Sequence, residues 1–130
     1  MSEMFCACSE LTTITDLKIF NTEKVTNMSN MFSYCGKLES LDLSNFNTKK
    51  VTNMSQMFLY CTSLKDLNLK SFIIEKVTDF TTMFGNCESL KYLNLSSFEA
   101  DNVSKASGMF ENCKSLDRLN LENFKFKEKK

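Results

Sequence analysis

The sequence predicts an α/β repeat solenoid, with about five short parallel strands on one face and short helices on the other, and three observations lead there. The 130-residue chain superposes on itself at a shift of 26 residues without gaps. Each copy carries its apolar residues at two periods, first helical and then that of a strand. With no Pro and only three Gly, the turns between these pieces fall to Asn, Asp, Ser and Thr.

Four copies begin at Val25, Val51, Val77 and Val103 and span 25–50, 51–76, 77–102 and 103–130. The first reads VTNMSNMFSYCGKLESLDLSNFNTKK and the second VTNMSQMFLYCTSLKDLNLKSFIIEK. Residues 1–24 form a partial copy without the opening Val and with an extra residue near Thr15, since MSEMFCAC aligns with MSNMFSYC. No linker or change of composition separates the copies, so residues 1–130 are expected to form a single solenoid domain.

Within a copy, Val25, Met28, Met31, Phe32 and Cys35 share one helical face. They predict a short helix over roughly Met28 to Tyr34, with Thr26 or Asn27 as its N-cap. Leu38, Leu41 and Leu43 follow as L-x-x-L-x-L, and the alternation of Leu41 in, Asp42 out and Leu43 in is that of a strand. Phe46 turns inward again before Asn-Thr-Lys-Lys leads to the next Val. One unit cannot close its own apolar face, so the copies must stack and continue each inward column. Strands are expected to start near Ile14, Leu41, Leu67, Leu93 and Leu119. Phe5, Phe32, Phe58, Phe84 and Phe110 should form one aromatic column, and Phe20, Phe46, Phe72, Phe98 and Phe124 a second.

The L-x-x-L-x-L core places the chain near leucine-rich repeats. The narrower 26-residue pattern V-T-x-M-x-x-M-F-x-x-C-x-x-L-x-x-L-x-L-x-x-F resembles the BspA-like bacterial surface-protein repeat over essentially all 130 residues. The resemblance implies a leucine-rich-repeat-like solenoid and a role in adhesion or interaction at a cell surface.

Chemistry that needs special residues is poorly supplied. The chain has no His, which removes His-based triads, His metal sites and imidazole pH switches. No phosphate-binding Gly loop, nucleophile elbow or metal-ligand spacing occurs, so neither an enzyme nor a cofactor or metal is expected. Sixteen basic and sixteen acidic residues cancel, and no nucleic-acid motif is present. Cys35, Cys61, Cys87 and Cys113 recur with the repeat and read as small core residues, not as a disulfide framework. Cys6 and Cys8, without His or a second Cys pair, make a poor zinc site and a candidate redox-labile terminus. Met28, Met31, Met54, Met57, Met83 and Met109 occupy inward columns and read as packing.

Specificity can be written only where the copies vary, and the strand face supplies those positions. Ser40, Asp66, Tyr92 and Arg118 precede the second strand leucine, while Ser44, Lys70, Ser96 and Glu122 follow the third. Lys65 and Lys91 flank this row, and Asp42, Asn68, Asn94 and Asn120 stand between the leucines as outward hydrogen-bonding groups. Tyr92 and Arg118, neighbours on adjacent strands and residue types enriched at interface hot spots, are the leading contact site. The alternative is a merely solvated face of mixed charge.

The function expected is therefore a non-catalytic module that binds another protein through its strand face. Two other readings stand beside it: an intracellular inhibitor occluding a host or competitor enzyme such as a defence nuclease, and a fragment of a bacterial surface adhesion array. Without a signal-peptide pattern or an apolar run of membrane-spanning length, the chain as written is expected in the cytoplasm, or at the cell surface if it belongs to a longer protein. The basic tail from Lys125 to Lys130 reads as a cap on the last strand, while its Phe126 leaves end-to-end self-association open.

Overall fold

The computed structural model describes residues 1–124, so the capping and self-association expected of Lys125–Lys130 lie outside the described residues. The copies form successive coils whose inward columns merge into one hydrophobic core running from Leu17 to Met109. Among the described residues there are four strands, β1 (Ser40–Leu41), β2 (Asp66–Leu67), β3 (Tyr92–Asn94) and β4 (Arg118–Asn120). β1 pairs in parallel with β2, and β3 with β4, each in the 26-residue register of the repeat. The expected strand near Ile14 is absent, and the sheet is interrupted between β2 and β3. A second parallel line of contact runs through bridges joining Asn27, Asn53, Asp79 and Lys105.

The helices predicted for the opposite face do not form. Among the described residues the one helical element is a single 3-10 turn, Leu17–Ile19. In place of each helix the chain makes a ribbon of turns. Met31, Ser33 and Cys35 donate their N–H three residues back, to Met28, Asn30 and Phe32. The alternate groups of Met28, Asn30, Phe32 and Tyr34 reach instead to Asn53, Ser55, Met57 and Leu59 of the next coil, at 3.0, 3.0, 2.9 and 2.7 Å. An α-helix needs each N–H for the carbonyl four residues behind it, and here half are taken by a neighbour. Every fourth ribbon residue also adopts positive φ, as at Asn30 and Tyr34, Gln56 and Tyr60, Thr82 and Asn86, and Gly108 and Asn112. That conformation interrupts any right-handed helical run. The apolar residues still point inward, because a chain of three- and four-residue turns returns the same spacing to one side as a helix does.

Both aromatic columns enter the structure, the first more regularly. Phe5, Phe32, Phe58, Phe84 and Phe110 stack with centroids 5.5, 5.8, 5.6 and 5.7 Å apart and planes within 7° of parallel. In the second column Phe46, Phe72 and Phe98 are buried, and Phe80, standing where Met28 and Met54 stand in earlier coils, packs against Phe98 and Phe124. The six ribbon methionines are buried as expected. Inside, two buried threonines are fully satisfied, whereas the Ser33 hydroxyl, Asn45 Oδ1 and the Thr82 hydroxyl have no hydrogen-bond partner among the described residues. Thr48, fully buried, donates its hydroxyl to the Ile73 carbonyl and accepts the Ile73 N–H, and Thr22 does the same with Asn47.

Candidate functional site

The interruption between β2 and β3 coincides with a groove of about 430 Å³ on the strand face. Its walls come from three coils and include Asp42, Asp66, Asn68, Lys70, Tyr92 and Asn94, six of the residues singled out by sequence. Its floor comprises Leu41, Leu67 and Leu69. Leu67 is only partly buried where the equivalent Leu93 is fully so, which gives the groove an apolar base.

Tyr92 and Arg118 face one another in strand register. The Arg118 guanidinium carbon lies 5.2 Å from the centre of the Tyr92 ring, a cation–π contact, while Tyr92 as a residue remains 43% exposed. Arg118 also lies 3.9 Å from the Asp117 carboxylate, an exposed pair of little energetic weight. Asp66 and Lys70 make no side-chain ion pair or hydrogen bond among the described residues. Lys65 is tied to Glu39 at 2.8 Å, outside the groove. Lys91 is exposed, and its carbonyl receives the N–H groups of Asp117 and Arg118.

The Asp/Asn column has a structural occupation. The Oδ1 atoms of Asp42, Asn68, Asn94 and Asn120 accept the N–H groups of Ser44, Lys70, Ser96 and Glu122 at 2.9–3.1 Å. Each is an Asx turn that ends its strand, so these oxygens are committed and the remaining side-chain atoms are what a partner can meet. Hydrogen bonds from Ser44, its side chain first and its backbone second, hold the Asp42 carboxyl below its usual range. Asn120 and Glu122 lie beyond the groove, on β4 and just after it. The Asx turns were readable from sequence, since each Asp or Asn stands two residues before its turn partner; the gap between β2 and β3 carries no comparable signal.

The cysteine column also has a role that spacing did not reveal. The thiols of Cys35, Cys61, Cys87 and Cys113 donate to the carbonyls of Phe5, Phe32, Phe58 and Phe84, all at 3.1–3.2 Å. Burial, then the neighbouring Cys8 thiol, pushes Cys35 up to about 11. Burial pushes Cys61 and Cys87 well up, with adjacent thiols adding to it. Protonated, enclosed thiols are packing groups and not nucleophiles. Cys8 is exposed and Cys6 half-buried at the N-terminal coil. Among the described residues no group of three or more His, Cys, Asp or Glu gathers to hold a metal, and no helix is long and apolar enough to cross a membrane.

The fold agrees with that of solved leucine-rich proteins. A leucine-rich cell surface protein of Faecalibacterium prausnitzii is 28% identical with a TM-score of 0.51, over 75% of this chain and 25% of that one. A leucine-rich repeat protein of T. pallidum is similar in fold, at 17% identity and a TM-score of 0.52, over 92% of this chain and 60% of that one. The chain thus spans a quarter of the first protein's length and three-fifths of the second's. No curated protein matches it. The Faecalibacterium neighbour is consistent with the BspA-like character of the repeat, and the leucine-rich fold holds although its helical face is replaced by turns. The family model described as Mycoplasma protein of unknown function, DUF285, matches residues 1–128, and the chain belongs to that family.

Proposed function

We propose that the chain is a non-catalytic protein-interaction module that receives its partner on the strand face, in the groove between β2 and β3. The observation that carries this reading is the groove itself: an apolar floor, a half-exposed Tyr92 under Arg118, and Asp66 and Lys70 unpaired at its walls. An aromatic anchor beside a cation, rimmed by unengaged charges of both signs, is the composition of interface hot spots. The test is to place a photo-crosslinking residue at Asp66, identify what it captures, and measure affinity for that partner. Tyr92→Ala combined with Arg118→Glu should weaken binding by about 30-fold or more, the equivalent of about 2 kcal/mol, without unfolding the chain. Unchanged affinity would place the interface elsewhere. If the captured partner is an enzyme, its activity at saturation separates an occluding inhibitor from a scaffold.

A second reading is favoured by the Faecalibacterium surface protein, of which this chain covers only 25%. In that reading the solenoid is a stretch of a longer adhesive array at a cell surface. A coding sequence that continues into further 26-residue copies would support it, and one bounded by stop codons after an intact start would contradict it.

A further inference from the structure

The first and last coils carry the two halves of one interface. At each of the four junctions between coils, three ribbon N–H groups donate to three carbonyls of the following coil. Asn30, Phe32 and Tyr34 donate to Ser55, Met57 and Leu59, for example, and Thr82, Phe84 and Asn86 to Ser107, Met109 and Glu111. The direction of these bonds never reverses, so the two ends differ in kind. In the last coil the N–H groups of Gly108, Phe110 and Asn112 have no hydrogen-bond partner among the described residues, and in the first coil the same is true of the carbonyls of Ser2, Met4 and Cys6. In the repeat alignment these three donors and three acceptors are the positions that pair at every interior junction.

The side-chain columns open at the same two places. Met4 is 44% exposed, although its equivalents Met31, Met57 and Met83 are fully buried, and Leu121 is 37% exposed where Leu43 and Leu95 are fully buried. Phe5 and Phe110 end the five-ring stack, each with a single neighbour within it and each only partly buried. The cysteine column is open in the matching sense. The carbonyls of Phe5, Phe32, Phe58 and Phe84 each accept a thiol from the following coil, but that of Phe110 accepts none among the described residues, and the exposed Cys8 thiol, first in its column, has no carbonyl to meet. Each end is thus a coil face of the kind that is covered everywhere else in the molecule.

We infer that the chain binds a second copy of itself head to tail, the last coil of one copy stacking on the first coil of the next. The contact continues the coil-on-coil interface already repeated four times within the chain. Gly108, Phe110 and Asn112 of one copy donate to Ser2, Met4 and Cys6 of the next, Phe110 stacks on Phe5, and the Cys8 thiol donates to the Phe110 carbonyl. On the ribbon Gly108 meets Glu3 and Glu111 meets Cys6, so no like charges stand over one another. A purely apolar partner would cover the open columns but desolvate the N–H and C=O groups without pairing them, which opposes binding. A coil of this same pattern satisfies both. The first coil lacks a strand near Ile14, which confines the hydrogen-bonded part of the contact to the ribbon. Because the two faces differ, the contact is heterologous: a pair still has one face of each kind, and assembly propagates.

Sedimentation equilibrium of the full chain, with its thiols kept reduced, tests this. The weight-average mass should rise past twice that of one chain between about 1 µM and about 1 mM, since a heterologous contact does not stop at a pair. Met4→Lys sets a charge on the first-coil face and Leu121→Lys one on the last-coil face, each at a side chain already more than a third exposed, so both variants should fold. Either alone should associate at least about tenfold more weakly than the unaltered chain. An equimolar mixture of the two should form a dimer and nothing larger, because it retains one intact face of each kind. Tyr92→Ala, in the strand-face groove and away from both ends, should leave assembly unchanged. A measurement that needs no variant is alkylation of Cys8 by iodoacetamide, located by mass spectrometry, which should slow as the chain assembles. A chain that stays monomeric throughout or stops at a dimer would overturn the inference, as would single variants that assemble normally, a mixture that stays monomeric, assembly lost with Tyr92→Ala, or a Cys8 rate that does not depend on concentration.

Discussion

The turn ribbon and the strand face run the length of the same solenoid, yet they hold it together to different degrees. On the ribbon the inter-coil hydrogen bonds continue without a gap from Glu3, Phe5 and Ala7 to Phe84 and Asn86. Beneath them lies the unbroken stack of five Phe rings. On the strand face the pairing is two or three residues long and breaks in the middle. Continuity of coil stacking is therefore assigned to the ribbon, which leaves the other side free to vary and to open a groove. Side chains of the proposed recognition surface can change there without touching the columns that keep the coils in register.

The largest effect should come from the ribbon's core. Phe58→Ala, in the middle of the stack, removes a fully buried ring held between two others and should cost about 3–5 kcal/mol in a denaturant titration. A loss below about 1 kcal/mol would show that the column is not the main source of stability. A pH titration sharpens the same point. The thiols of Cys61 and Cys87 are raised well above the ordinary value of 9.0, so folding favours their protonated form. Their contribution is complete below pH 9. Above it the unfolded chain ionises first and stability falls, by up to about 1.4 kcal/mol per pH unit for each of these two buried thiols. Cys61→Ala with Cys87→Ala should flatten the decline between pH 9 and 11.

Backbone conformation gives smaller changes of both signs. Gly108→Ala should destabilise by about 1–2 kcal/mol, since φ is +63° and the new Cβ would stand 2.9 Å from Cγ2 of Thr82. Thr82→Gly should stabilise by up to about 1 kcal/mol. It relieves a β-branched residue at φ 48° and removes a buried hydroxyl that has no hydrogen-bond partner, against the extra freedom of Gly in the unfolded chain. The strand face should respond least. Arg118→Glu removes one exposed cation–π contact and should lower stability by less than about 1 kcal/mol, even where it abolishes partner binding.

Much of this was legible in the sequence because stacking is a one-dimensional problem. A shift of 26 residues places Phe32 over Phe58 and Tyr92 beside Arg118, and the register of the coils follows without further information. The helix was misread for a physical reason: turns closing every three or four residues repeat their inward positions as a helix does, so Met28, Met31, Phe32 and Cys35 fit both. The discriminating signal is weak but present. A left-handed position recurs every fourth ribbon residue, and Asn30, Asn86, Gly108 and Asn112 are types suited to it, whereas Tyr34, Tyr60 and Thr82 conceal it. At the site, the variable positions were visible as departures from the repeat. The groove was not, because it arises from a missing strand pairing between Asp66–Leu67 and Tyr92–Asn94, which the regular L-x-x-L-x-L pattern does not announce.

Amide hydrogen exchange on the free chain tests the division of labour most directly. The N–H groups of Phe58, Tyr60, Thr82 and Phe84, each bonded to the next coil, should exchange only through opening that approaches global unfolding. Those of Leu41 and Leu67, in the two-residue strands of the short sheet that ends at the break, should exchange through smaller openings and at least tenfold faster after correction for intrinsic rates. Equal protection on the two sides, or faster exchange on the ribbon, would contradict the claim that the ribbon holds the coils while the strand face is free to recognise.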